Sequence, residues 1–540
     1  MLTKLARYKK AAGPLPESYR AWQVFGAGLE NVGRAGQCQT LPLRDPADNE
    51  ILIRIDVLGL CLSDMKIIAQ GGKHARLRGR DLAKDPTVLG HECSVTVVKV
   101  GNRWEDRFRV GERYLVQADI YYQGVGYAFG YMIPGGMEEY AYLDERALDG
   151  DEGCYLLPVK PETGYSQAAL AEPWACVEMS YCLEERLGPK GPGPLVVVDE
   201  VTDSCKVGFP NAVILPRSLE GIEAIAGKSF DDIIVRYPTP AMVNSLAPKL
   251  NKGGNLWLVG QAAEVGDVTL DVGGIHYENK RYFGGGATLE AVAAVNERND
   301  LLPGGSALFI GAGGPMGQMH VQRALEKAKG PARVVVTDLD RSRLDHIVKR
   351  FGPLAEEKNI ELVTLSPGEF DSPAAMEERM RGLAPAGYND VVVLAPVAFL
   401  VRQAVSLAAD HAFVNIFAGL VIGTKAAIPL EALCRGVKLI GCSGSRISDL
   451  RKVLAMVEAN ELDSNRSVAA IAGLNAAHEG LKAVKEASYP GKTVIYTQIP
   501  DLPLMALEEV PERIPELKDK LSPEGAWTKE AEAALLERSL

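Results

Sequence analysis

The chain has 540 residues, 47% hydrophobic and 24% charged. A single core does not grow to that length, and at roughly 150 residues per domain three or four domain-sized units are expected. The composition excludes wholesale disorder, and 59 basic against 70 acidic residues, net −11, without a basic tract, speaks against nucleic acid or a membrane as partner.

Nine cysteines without a CxxC pair are too sparse for a disulfide scaffold. The N-terminal MLTKLARYKKAAG lacks the apolar stretch of a signal peptide. The longest apolar run, Val391–Val401, is too short to cross a bilayer. These features predict a cytoplasmic protein with reduced thiols.

In chain order, the first part alternates β-rich runs with glycine turns: Ile51–Leu58, Ser94–Val100 and Glu139–Leu143. A β-barrel-like domain is expected there. The apolar periodicity of Gln167–Leu187 predicts a long helix. Strand and helix patterns then alternate to about Ser445, which predicts a parallel sheet with helices on both faces. The fold class is therefore α/β plus β. The tail after Pro500 ends in Thr528–Leu540, a short amphipathic helix with Thr528 as N-cap.

The α/β part contains an internal echo. DDIIVRY, NKGGNLWLVGQ and NKRYFGGG within Asp231–Gly286 match NDVVVLA, ADHAFVNIFAG and GVKLIGCSGS within Asn389–Ser445. The landmarks stay about 158 residues apart. Upstream, Gly191–Val198 matches Pro303–Ile310. Two successive Rossmann-like units are expected, the first of them an insertion over about 191–300.

The second unit carries ALFIGAGGPMG over Ala307–Gly317. Gly311, Gly313, Gly314 and Gly317 follow a predicted strand and open a predicted helix through Lys329. Glycines there permit a tight turn and close approach of backbone to pyrophosphate, and the helix start supplies N–H donors. Asp338 ends the next strand, 21 residues after Gly317. A carboxylate at that point accepts from ribose hydroxyls and repels a 2′-phosphate, favouring NAD over NADP. Pro315, Met316 and Arg343 complete the candidate cofactor contacts. The upstream unit has Asp199–Gly208 (DEVTDSCKVG) at the matching place, and its acidic residues should repel a pyrophosphate.

Three short motifs in the first domain bring metal-ligand chemistry: Cys61 with Ser63 and Asp64, His91 with Glu92, and Glu172 followed by Pro173. Thiolate, imidazole and carboxylate together suit a catalytic zinc with an open position. Their wide spacing excludes a zinc finger and requires assembly by tertiary folding.

The order GxCxSD, GHE, VGERY (Val110–Tyr114), GGxxEY (Gly135–Tyr140), AEP and a glycine loop resembles the zinc-dependent medium-chain dehydrogenase/reductase family, most closely its sorbitol and sugar-phosphate branches. The resemblance covers Ile51–Glu184 and Leu301–Ile499. It implies a GroES-like catalytic domain over 1–190 with a return over 446–500, an NAD-binding Rossmann domain over 301–445, and a tail over 501–540. It implies Cys61 and His91 as zinc ligands, Glu92 and Glu172 as exchanging or water-mediated ligands, and Asp64 as the carboxylate fixing the His91 tautomer. Ser63 would touch the substrate hydroxyl and start a proton relay. Zinc would act as Lewis acid while hydride passes to NAD. Val116–Glu139 contains no cysteine, so the structural zinc of many members is not expected, and one zinc per chain is.

The expected reaction is hydride transfer between NAD and a secondary alcohol of a polyol, sugar or sugar phosphate, with a homo-oligomer as the expected assembly. Two alternatives share the motifs: transient oxidation enabling epimerisation or elimination, and a non-catalytic dinucleotide-sensing or assembly protein. Lys66 and the loop Lys73–Lys84, with His74, Arg76, Arg78 and Arg80, are candidates to hold an anionic substrate group.

Overall fold

The computed structural model describes residues 3–183, 185–190, 193–198 and 212–540. Two compact units emerge, Met1–Glu178 with Gly444–Leu540, and Met179–Ser443. The acidic stretch Asp199–Gly208 lies outside the described residues.

The first unit is built on the strand Glu50–Gly59, buried along nearly its whole length. One of its edges pairs antiparallel with Glu92–Val100. The other pairs with Tyr140–Asp144 near its start and with Lys492–Tyr496 near its end. The central strand carries two charges that its apolar neighbours cannot solvate. Arg54 and Asp56 answer each other at 2.8 Å, and Asp56 also accepts from the hydroxyls of Tyr8 and Thr96.

The expected helix Gln167–Leu187 is a correction. The structure has two short helices, Tyr165–Ala169 and Ala171–Met179. Beyond Met179, fixed partners override periodicity. The Tyr181 hydroxyl meets His320 Nδ1 at 2.6 Å, Glu185 pairs with Arg281 at 3.0 Å and Arg186 with Asp232 at 2.6 Å. The glycine-loop helix also stops short of Lys329, running Pro315–Glu326.

At the other end, Thr528 caps Lys529–Ser539 by accepting from the Ala531 N–H. That helix buries Ala531, Leu535 and Leu536 in the core of the first unit. Its buried Glu532 accepts the N–H groups of Tyr165 and Ser166 at 2.6 and 2.7 Å. The first turn of the helix pair that carries Glu172 is thus capped from 366 residues away in sequence.

Among its described residues the second unit has a sheet of eleven strands with helices between them, and a separate two-stranded ladder of Asp267–Asp271 with Lys425–Pro429. From one edge the order is 213–215, 195–198, 230–236, 250–259, 281–286, 438–440, 408–416, 388–393, 306–310, 333–337 and 361–365. All neighbours are parallel except 281–286 against 438–440. Strands such as Val196–Val198 and Val334–Val336 are fully buried valine runs, as a sheet covered on both faces requires. Among the described residues no helix is long and apolar enough to cross a membrane.

Replacing Glu532 with alanine leaves two buried N–H groups without their acceptor and is expected to cost about 1–3 kcal/mol. A lowered urea midpoint at unchanged slope checks this.

Candidate functional site

The central strand Glu50–Gly59 delivers the site. It ends at Gly59, and Cys61 then stands at the N-cap of the helix Leu62–Gln70. The Cys61 N–H donates to Asp64 Oδ2 at 3.1 Å, so the turn holding the thiol is closed by the carboxylate three residues on. The other oxygen of Asp64 accepts from the Gly90 N–H at 3.3 Å and lies 3.4 Å from His91 Nδ1. Asp64 is fully buried and ties the cysteine turn to the histidine turn.

Glu92 opens the neighbouring strand directly opposite Gly59. A Cβ at Gly59 would lie 2.2 Å from Glu92 Oε2, so the Gly-Leu-Cys motif needs its glycine. Ligand atoms of Cys61, His91 and Glu92 all lie within 4.8 Å of one another, and this is the metal-capable group found among the described residues. Glu92 Oε2 is buried without a hydrogen-bond partner. A buried carboxylate oxygen left open beside a thiol and an imidazole fits a cation of the zinc type.

Glu172 is not part of that group but is buried near it on the helix Ala171–Met179. Burial pushes its carboxyl up to about 7; the His91 charge works against that shift, and Glu92 and Asp119 add to it. Ser63 is half-buried, its Oγ 3.5 Å from Cys61 Sγ.

Lys492 was not legible as a site residue. Its Nζ reaches Glu92 Oε1 at 2.5 Å, and both side chains are buried. Burial is the largest single influence and would lower the lysine; the charge and hydrogen bond of Glu92, with Cys61 and Glu172, together outweigh it and hold the pKa above its usual value. The signal was a lysine opening the apolar strand KTVIY, where a charge demands a buried counter-charge. Tyr131 was also missed; its ring lies 5.7 Å from that of His91.

Within the basic loop, Arg80 pairs with Asp85, Lys84 with Asp81, and Arg78 donates to the Gly126 carbonyl. Arg76 pairs with Asp119 at 2.6 Å and stands 5.1 Å over the Tyr131 ring. His74 flanks the same ring at 6.1 Å.

In the second unit the glycine loop lies between the strand Ser306–Ile310 and the helix Pro315–Glu326. Gly311 has φ +73°, and the N–H groups of Gly311 and Ala312 both donate to the Thr337 carbonyl. Gly317 packs on Ala312, where a Cβ would meet backbone at 2.4 Å. Pro315 takes the first helical position, where its missing N–H costs nothing, and Met316 follows it in the first turn. Asp338 accepts from the Gly313 N–H at 2.7 Å and the Asp340 N–H at 3.0 Å. Its carboxylate is therefore pinned against the loop. Arg343 stands beside it, 3.9 Å from where a Cβ on Gly314 would lie.

The family described as alcohol dehydrogenase GroES-like domain matches residues 47–149. The chain is 24% identical to L-sorbose 1-phosphate reductase of Klebsiella pneumoniae over 507 residues, 92% of this chain and 94% of that one. It is 24% identical to mannitol-1-phosphate 5-dehydrogenase of Aliivibrio fischeri over 518 residues, 93% and 95% of the two chains. Among solved structures it is similar in fold to 2R,3R-butanediol dehydrogenase of Bacillus subtilis, with TM-score 0.52, 16% identity, and 89% and 100% coverage.

The titration of Glu172 gives a test on metal-free protein. Its folded value near 7 exceeds the ordinary 4.5, so the folded state keeps a proton that the unfolded state has lost. Its contribution to stability is full below about 4.5 and lost as pH rises through about 7. Thermal melts of metal-free protein should therefore fall over this window, and Glu172→Gln should flatten the decline.

Proposed function

We propose that the chain, which resembles zinc-dependent medium-chain dehydrogenases/reductases in its motifs and matches the alcohol dehydrogenase GroES-like domain over residues 47–149, moves a hydride between NAD and a secondary alcohol carbon of a sugar phosphate or related polyol. The observation that carries the reading is the convergence of Cys61, His91 and Glu92 on one buried place where Glu92 Oε2 has no protein partner.

Cys61 and His91 would hold the metal, with Glu92 or Glu172 as the carboxylate. When bound, zinc would supply a Lewis acid and the nicotinamide a hydride acceptor or donor. The protein's own groups prepare and clear the proton. Asp64, whose Oδ1 lies 3.4 Å from His91 Nδ1, would orient the imidazole. Lys492 pairs with one oxygen of Glu92. Ser63 lies beside the Cys61 sulfur, placed to take a substrate hydroxyl proton toward solvent.

The loop Gly311–Gly317 would hold the dinucleotide. Asp338, hydrogen-bonded to Gly313, would take the ribose hydroxyls and disfavour a 2′-phosphate. The phosphate of the substrate is assigned to Arg76. Its guanidinium, though also paired with Asp119, stands over Tyr131 on the His91 side of the site, whereas Arg80 and Lys84 are paired with carboxylates of their own loop. The two full-length relatives named above act, by their names, on sugar or polyol phosphates.

A spectrophotometric screen of polyols and their phosphates with NAD tests the reaction. NADH should accumulate in step with substrate consumed, and chelation or Cys61→Ala should stop it. Turnover without NADH would replace this reading with the one lacking net oxidation. Arg76→Ala should raise KM for a phosphorylated substrate about ten- to a hundredfold, the worth of a charge-assisted hydrogen bond, and leave KM for the free polyol nearly unchanged. Asp338→Ala should lower the NAD-to-NADP preference roughly tenfold; an unmoved ratio would remove Asp338 from its role.

A further inference from the structure

The eleven strands of the second unit contain one pattern twice. From the outside inward, the first set runs 213–215, 195–198, 230–236, 250–259, 281–286. The second set runs 333–337, 306–310, 388–393, 408–416, 438–440, in the same order, with 361–365 added outside. The likeness extends to irregularities. The register slips between Phe230 and Asp232 against Leu250 and Asn255, and again between Tyr388 and Asp390 against Ala408 and Phe413. All four positions repeat at an offset of 158. A buried brace repeats too. Asp232 takes Arg186 on Oδ1 and the Lys190 N–H on Oδ2, while Asp390 takes Arg298 on Oδ1 and the Leu302 N–H on Oδ2.

The two sets meet through equivalent parts. The innermost strands 281–286 and 438–440 pair antiparallel at Tyr282 and Leu439, residues 157 apart. Beside them the short strands Asp267–Asp271 and Lys425–Pro429 pair antiparallel, with Thr269 facing Ala427 at the centre. Asp267 faces Pro429 and Asp271 faces Lys425, so each end of one strand meets the opposite end of its copy. Both strands bury their second and fourth residues and expose their first and third. Val268, Leu270, Ala426 and Ile428 share one core. The equivalent residues Arg281 and Lys438 are both neutralised by Glu185. This is the geometry of a two-fold, self-complementary subunit interface, in which residue i meets j and j meets i, but here it lies within one chain.

We propose that the half built on strands 195–198 to 281–286 is a built-in partner subunit. It closes, within the chain, the self-complementary sheet edge on which a second copy would otherwise dock. The edge formed by 425–429 and 438–440 is covered by its own copy, and no second chain binds there. A strand edge left open would template such pairing, and tethering the partner makes the pairing independent of protein concentration.

The test is a cross-link at the centre of the pseudo-two-fold. Thr269 and Ala427 are both exposed. The Thr269 N–H donates to Asn244 Oδ1 and not across the ladder, so the two residues form the closer kind of facing pair, with Cα atoms about 4.5 Å apart, within disulfide reach. The full-length double variant Thr269→Cys/Ala427→Cys should, on mild oxidation, form a reducible bridge inside a single chain. It should run at the mass of one chain on a non-reducing gel, and peptide mass analysis should link the two positions; neither single variant should do so. A bridged species of twice the chain mass would show that the edge pairs between chains and would overturn the proposal. Failure to bridge would show that the two strands do not face each other, and would overturn it equally.

Discussion

A buried carboxylate and a buried ammonium, Glu92 and Lys492, meet in the first unit across 400 residues of sequence. Neither charge is tolerable in that interior without the other. Their meeting requires the strands that carry them to lie on opposite edges of Glu50–Gly59, next to Gly59 on both sides. Once that is satisfied, Cys61 follows Gly59 by two residues and His91 precedes Glu92 by one. The metal-capable group is a consequence of sheet register. Because Lys492 takes one oxygen of Glu92, the other is left facing the thiol and imidazole without a protein partner.

This explains which parts of the site could be read from sequence. Cys61, His91, Asp64 and Glu92 lie in short motifs whose residue types are chemically unusual together, so they stood out. Lys492 sits in an ordinary strand, and its meaning comes only from a partner that folding brings beside it. Tyr131 has the same character: an aromatic in a glycine-rich loop has no role until folding brings its ring beside that of His91. Glu172 was legible as a candidate, yet its relation to the metal-capable group depends on the helix Ala171–Met179, whose start is capped by a glutamate from the far end of the chain. No local pattern around Gln167 announces that cap.

The fold divides the same way. Strand and helix alternation announced the parallel sheet, because valine runs between glycine turns have few other solutions. The helix expected over Gln167–Leu187 broke at Met179 since Tyr181, Glu185 and Arg186 each meet a partner in the sheet unit that an unbroken helix would pull away. Periodicity measures an amphipathic preference of tenths of a kcal/mol per residue. A buried ion pair that must be made outweighs it.

The internal echo was visible as three landmarks at a constant spacing, but the spacing says nothing about how the copies face each other. That depends on which edge each leaves open. A strand edge presents unpaired donors and acceptors at fixed intervals, and the most exact complement for an antiparallel edge is the same edge turned around. Two copies on one chain therefore have a ready mode of joining that needs no new chemistry, only a linker long enough to turn. The described parts of the first copy keep what that joining needs: the bulge, the Arg–Asp brace and the alternation of buried and exposed residues on Asp267–Asp271. They are shorter between 215 and 230 than the second copy is between 337 and 388, where two helices and the strand Glu361–Leu365 lie. The shared features belong to the frame and to the edge where the copies meet, whereas the outermost strand belongs to the copy with the glycine loop. A half that keeps its joining edge while differing at its outer margin has the build of a partner.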